Sequence, residues 1–149
     1  MRFRGVTALV VCLLAGLLVT ASAEAKKIRY AGQSSQGEKV VLQTNAKGKA
    51  QSFRISFQAK CRHSKISDGF QGFVAPFDRA DYRGFSDGGR YRHHYDKYDT
   101  NGKFRVRVRG ERIDRDRLKG TFDFSAKFFD HGKKFNSCRS RTIRWTVSR

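Results

Sequence analysis

Arg105, Arg107 and Arg109 alternate with Phe104, Val106 and Val108. Residues that alternate in this way occupy opposite faces of a β-strand, so the three guanidinium groups share one wet face while the apolar side chains turn inward. Three such cations lie within about 14 Å along a strand, at about 3.4 Å per residue. That arrangement suits an anion carrying repeated charges, because guanidinium groups hold phosphate, sulfate and carboxylate through paired hydrogen bonds. A second run, Arg117 to Phe128, alternates in the same manner, with Leu118, Phe122, Phe124, Ala126 and Phe128 on one parity. If Val106 stands opposite Phe122 in a hairpin, Arg105 faces Asp123 and Arg109 faces Lys119. Lys119 then joins the three arginines as a candidate polyanion-binding residue. The rival reading is a solvated face whose charges keep the chain soluble and protect strand edges.

Other chemistry finds less support. His93 and His94 stand near Asp96 and Asp99, which are metal-ligand residue types. Adjacent residues of a strand point to opposite faces, so the two imidazoles do not converge on one ion, and no metal site is assigned. Asp96 to Gly102 has oxygen-bearing side chains but not the spacing of a calcium loop. No G-x-S-x-G or HExxH motif occurs, and no two acidic residues are singled out as a glycosidase pair. The expectation is a protein that is not an enzyme and needs no cofactor. Tyr82, Tyr91, Tyr95 and Tyr98 are interleaved with Arg83, Arg90, Arg92 and Lys97. Exposed aromatics beside a basic groove would permit stacking of nucleic-acid bases, so nucleic acid is a possible but unspecific partner. The alternative role for these tyrosines is an amphipathic rim around the fold.

The charge balance is the largest compositional signal. The chain of 149 residues has 32 Lys and Arg against 13 Asp and Glu, a formal charge of +19. A field of that size attracts anionic polymers and anionic envelope surfaces. The amino-terminal stretch reads as an export signal over residues 1 to 23. Arg2 and Arg4 precede an apolar run from Val6 to Val19, followed by Ala21-Ser22-Ala23, a small-residue cleavage site. Cys12 lies within the apolar run and follows Val11, which does not suit lipid attachment. Loss of Arg2 and Arg4 lowers the charge of +19 by two and leaves Cys61 and Cys138 as an even pair. In an exported protein such a pair reads as a disulfide.

A single all-β domain over residues 24 to 149 must position these groups. Strand patterns appear at Lys26 to Tyr30, Glu38 to Thr44, Ala50 to Cys61, the two runs above, and the segment after Cys138 that contains Ile143, Trp145 and Val147. Cys61 shares the inward parity of Phe53, Ile55 and Phe57, so it can reach a neighbouring strand. Lys65 to Phe77 fits a bulged strand or a hairpin, ending at Pro76 or lying at an edge. Gly32 to Gly37 and Asn45 to Lys49 read as turns, and Asn101-Gly102 is a hairpin signal. The expected architecture is an antiparallel meander of about eight strands forming a barrel-like domain, with a β-sandwich as the alternative. The expected core contains Phe53, Ile55, Phe57, Phe104, Val106, Val108, Phe122, Phe124, Ile143 and Trp145.

Cys61, Asn101-Gly102-Lys103-Phe104, Arg109-Gly110, Gly120-Thr121-Phe122 and Cys138 with Trp145-Thr146-Val147-Ser148-Arg149 recur in an order similar to that of small secreted all-β proteins from actinobacteria and their soil relatives. The turn here is Thr-Asn-Gly-Lys-Phe where that group has Asp-Gly-Thr-Phe. The resemblance implies the fold and export, and no catalytic residue. The functional expectation is a secreted or envelope-associated basic domain that contacts an anionic partner through its Arg/Lys face. A lipocalin-like carrier of a small apolar ligand and a structural envelope protein without a ligand are the alternatives. An interior filled with side chains favours the first reading, and a wide apolar cavity the carrier.

Overall fold

The computed structural model describes residues 26–63 and 66–149. The leader expected at residues 1 to 23, with Cys12, lies outside the described residues. The described residues form ten antiparallel strands: β1 Ile28–Ser34, β2 Lys39–Thr44, β3 Ala50–Cys61, β4 Ser67–Val74, β5 Arg79–Ala80, β6 Gly84–Tyr95, β7 Thr100–Arg112, β8 Arg117–Asp130, β9 Lys133–Arg139 and β10 Ile143–Ser148.

Long β8 determines how the sheet closes. Its residues from Leu118 to Asp130 pair with β7 along one edge. The opposite edge is shared: β10 pairs with Arg117 to Phe122, and β9 with Ser125 to Asp130. Because β9 also meets the end of β3, and β10 meets β1, six strands close into a ring in the order β10, β1, β2, β3, β9, β8. The remaining strands extend from the ring, β4 beside β3 and the β7–β6–β5 ribbon beside β8. The expected all-β antiparallel class and disulfide are present, although the connectivity is not a simple meander.

Alternation explains the core. Phe53, Ile55 and Phe57 of β3, Val106 and Val108 of β7, Phe122 of β8, and Ile143 and Trp145 of β10 are buried together. Phe53 lies 4.9 Å from Trp145 and 5.6 Å from Phe85 between ring centroids. Phe57 lies 4.9 Å from Phe122 and 4.8 Å from Phe124. Aromatic rings therefore occupy the interior, with tilted contacts that suit their quadrupoles. Phe124 is the exception to the expected core: it points inward but is only partly buried.

The disulfide joins Cys61 to Cys138, residues 77 apart in sequence and direct cross-strand partners of β3 and β9. It fastens the ring at the place where the β3–β9 ladder is only two residue pairs long. Closing a loop of this length is worth roughly 4–5 kcal/mol in the chain-entropy treatment.

Three local expectations need correction. Asn101 and Gly102 lie within β7 and not in its turn. The turn is a single 3-10 turn at Asp96–Tyr98, ended by Asp99 with φ 45°. Gly102 is required for packing, since a Cβ there would meet the rings of Phe104 and Tyr95. Gly32 likewise lies within β1, where a Cβ would lie 2.9 Å from Val147 Cα of β10. The β7–β8 register is also shifted by two residues: Val106 stands opposite Phe124, and Arg112 opposite Leu118. The shift moves the centre of the turn by one residue, and side-chain hydrogen bonds hold the loop at residues 113 to 116. The Asp116 amide donates to Asp114 Oδ1 at 2.9 Å, and Arg117 Nε donates to Asp114 Oδ2 at 2.7 Å. A shift of two leaves each side chain on its expected face.

Candidate functional site

The outer face of the ribbon is set by register. Arg105, Arg107 and Arg109 are all exposed on the outer side of β7, as alternation requires. Reading across the strands at Arg105 gives Arg90 of β6, Arg105 of β7, Ser125 of β8, Arg139 of β9 and Lys60 of β3. The next row toward the β6–β7 turn is Arg92, Lys103, Lys127 and Ser137. On the other side, Arg109 stands between Ser86 and Thr121, with Arg144 of β10 beyond. Neighbouring strands are about 4.8 Å apart. That is well inside the screening length of about 8 Å at physiological salt, so these charges act on one another.

Carboxylates are scarce on this face. Among the described residues, no ion pair within 4 Å uses Arg90, Arg105, Arg107, Arg109, Arg139, Lys60 or Lys127. Asp123 stands opposite Arg107, but its Oδ1 accepts a hydrogen bond from Thr142 Oγ1 at 2.7 Å. Asp87 sits at the β6 edge. Burial lifts its carboxyl above the ordinary value of 3.8; hydrogen bonding from the Gly88 amide opposes this, and the charge of Asp78 reinforces it.

Lys119 belongs to a different row. The corrected register places it opposite Glu111, and the two form an ion pair at 3.0 Å. The expected repulsion between Arg109 and Lys119 is therefore absent. Like charges do oppose each other elsewhere, at Arg90–Arg105, Arg92–Lys103 and Lys103–Lys127.

The face is concave where β9 and β3 turn away from β8. A groove of about 900 Å³ there is lined by Lys60, Arg62, Arg105, Arg107, Lys127 and Arg139, among others. Arg105 and Arg107 also line a shallower depression with Arg90 and Arg109, which continues the groove toward β6. A larger concavity of about 1040 Å³ lies at the other end of the ribbon. Two of its five bases are occupied, Arg79 by Asp81 at 3.0 Å and Arg112 by the carbonyls of Tyr82, Gly48 and Arg115, to which it donates, while Arg83, Arg109 and Arg115 also line it. Arg112 also stacks on the Tyr82 ring at 4.6 Å, so it closes the end of the ring and is not free for a ligand.

Of the interleaved tyrosines, Tyr91 and Tyr95 do not share the basic face, whereas exposed Tyr82 lines the larger concavity with Arg109. Tyr91 pairs with Phe104 across β6 and β7, and its ring stacks on Phe104 at 4.8 Å with an interplanar angle of 9°. Tyr95 packs 6.3 Å from Phe128. Both rings lie on the inner side, where burial raises the Tyr91 hydroxyl above its ordinary 10.0. At the ribbon tip, His94 Nε2 lies 3.4 Å from Asp96 and 3.7 Å from Asp99, while His131 reaches Asp99 at 3.8 Å. Among the described residues, no group of three such side chains is arranged to hold a metal ion.

The sequence reading missed Lys60, Lys127 and Arg139. A usable signal existed for two of them. An antiparallel pair at Cys61 and Cys138 requires Lys60 to stand opposite Arg139. No protein-family model matches the chain, and no curated protein or solved structure matches it.

Proposed function

We infer that the protein is a non-catalytic binding domain that contacts an anionic partner through the outer face of β6, β7, β8 and β9. Arg105, Arg107 and Arg109 form the axis of the contact, and Lys119 lies at its rim, held by Glu111. The observation that carries this reading is the array of cations without ion-pair partners, continuous across strands that mutually repel. Placing like charges opposite each other costs stability, and a bound polyanion offsets that cost. The aromatic filling of the interior supports this reading over a carrier of a small apolar ligand. Export through a cleaved leader at residues 1 to 23 belongs to the same proposal, and the Cys61–Cys138 bridge is consistent with an oxidising compartment.

The test is titration of the protein with a dense linear polyanion such as heparin at increasing salt. Affinity should fall steeply as salt rises, since binding releases condensed counterions. Absence of binding at low salt would leave a structural envelope role in its place.

A further inference from the structure

We propose that the anion bound by this face is an acidic polysaccharide, and that it lies across the strands along the row of Arg90, Arg105, Ser125, Arg139 and Lys60. This rests on the reading above that the face binds an anionic partner.

The direction follows from the distribution of charge. Along β7 the bases end at Arg109, and the next outward residue is Glu111, already paired with Lys119. Across the strands, the row spans four inter-strand steps, about 19 Å, and contains four cations and no acid. Asp123 stands one row away opposite Arg107, Asp78 and Asp87 line the adjoining depression, and none of the three stands in the row. The concavity at Lys60, Arg139 and Arg105 favours a narrow chain over a flat lipid surface.

The chemical class follows from what accompanies the cations. Ser125 stands between Arg105 and Arg139, and Ser137 stands beside Lys127. Hydroxyls interspersed among guanidinium groups match a polymer that presents its own hydroxyls between acidic groups. The inter-strand spacing is close to the advance of a polymer with one acidic group per sugar ring. The groove contains no Tyr or Trp, and its Phe124 turns toward Phe57 in the core. Within the groove, bases of a single-stranded nucleic acid would find no Tyr or Trp ring to stack on.

The test is calorimetric titration of the folded, disulfide-bonded protein with linear polygalacturonate, inorganic polyphosphate and oligodeoxythymidylate at matched charge concentration. Polygalacturonate should bind tightest to the wild type. The row variant Lys60→Gln/Arg90→Gln/Arg139→Gln should bind it roughly tenfold more weakly at 0.15 M salt. A control with the same charge change on another face, Arg29→Gln/Lys39→Gln/Arg54→Gln, should bind close to wild type. Equal losses in the two variants would overturn the row. Tighter wild-type binding of polyphosphate or oligodeoxythymidylate would overturn the polysaccharide while leaving an anion-binding face. Failure of all three polymers to bind would remove the underlying reading as well. The wild-type ranking requires no variant, and thermal melts of both triple variants establish that they are folded.

Discussion

Arg90 stands directly opposite Arg105 in the β6–β7 ladder, and among the described residues neither guanidinium has a carboxylate partner within 4 Å. Like charges placed directly across a sheet are destabilising. Arg105→Gln should therefore leave stability unchanged or raise it by about 0.2–1 kcal/mol, while weakening polyanion binding. Urea unfolding at low and high salt checks this. Added salt should narrow the difference between wild type and variant, because it screens the repulsion. A loss of stability would mean that Arg105 makes a favourable contact that this account lacks.

Phe122 and Phe124 are both inward on β8, yet Phe122 is 0% exposed and Phe124 only partly buried. Phe122→Ala should cost about 3–5 kcal/mol, the range for a fully buried ring. Phe124→Ala should cost less, about 2 kcal/mol, since part of that ring already meets solvent. Denaturant midpoints for the two variants give the comparison, and equal losses would contradict the difference in burial.

Asp81 links the turn between β5 and β6 to the acid limb of stability. Its carboxyl is held below 3.8, first by the hydrogen bond from Arg79 and next by the Gly84 amide, which donates at 2.9 Å. A lowered folded value means that the stabilisation is present above 3.8 and is lost as pH falls through the lower folded value. Asp87 has the opposite sign. Its value is raised, so its contribution is favourable below 3.8 and is lost as pH rises through the folded value. Asp81→Asn should flatten the acid dependence of the urea midpoint as pH falls below about 4. Asp87→Asn should raise the midpoint at the neutral end. An unchanged pH profile in Asp81→Asn would show that the turn does not depend on that charge.

Period-two patterning was sufficient to read the strand class, the inward residues and the Arg105–Arg107–Arg109 face. It was insufficient for register, because register depends on how each loop closes. The hydrogen bonds that Asp114 accepts from the Asp116 amide and Arg117 Nε hold the β7–β8 loop in a turn whose pairing is offset by two from the expected one. Side-chain faces survived that shift, but charge partners did not, so Lys119 paired with Glu111 instead of opposing Arg109. Gly102 misled for a related reason, since it lies within β7 and not in the turn. Gly120 lies within β8 opposite Gly110, with the Trp145 indole against it. A Cβ on Gly110 would lie 2.8 Å from Trp145 Cη2, so this glycine pair creates the space that seats the indole. Only the three-dimensional arrangement reveals that the glycines serve packing. The rest of the basic face was illegible because Lys60, Arg105 and Arg139 come from three distant parts of the chain. They meet through the β3–β9 closure at the disulfide.

The central claim is that the outer face of β7 binds polyanions. The most direct measurement compares the salt dependence of heparin binding for wild type and Arg105→Gln/Arg107→Gln/Arg109→Gln. The account predicts weaker binding and a slope of log affinity against log salt that is shallower by about 2–3, close to one counterion for each lost cation. The melting temperature should be unchanged or slightly raised, since exposed charges add little stability. Identical affinities and slopes would contradict the claim and reduce this face to a solvated surface.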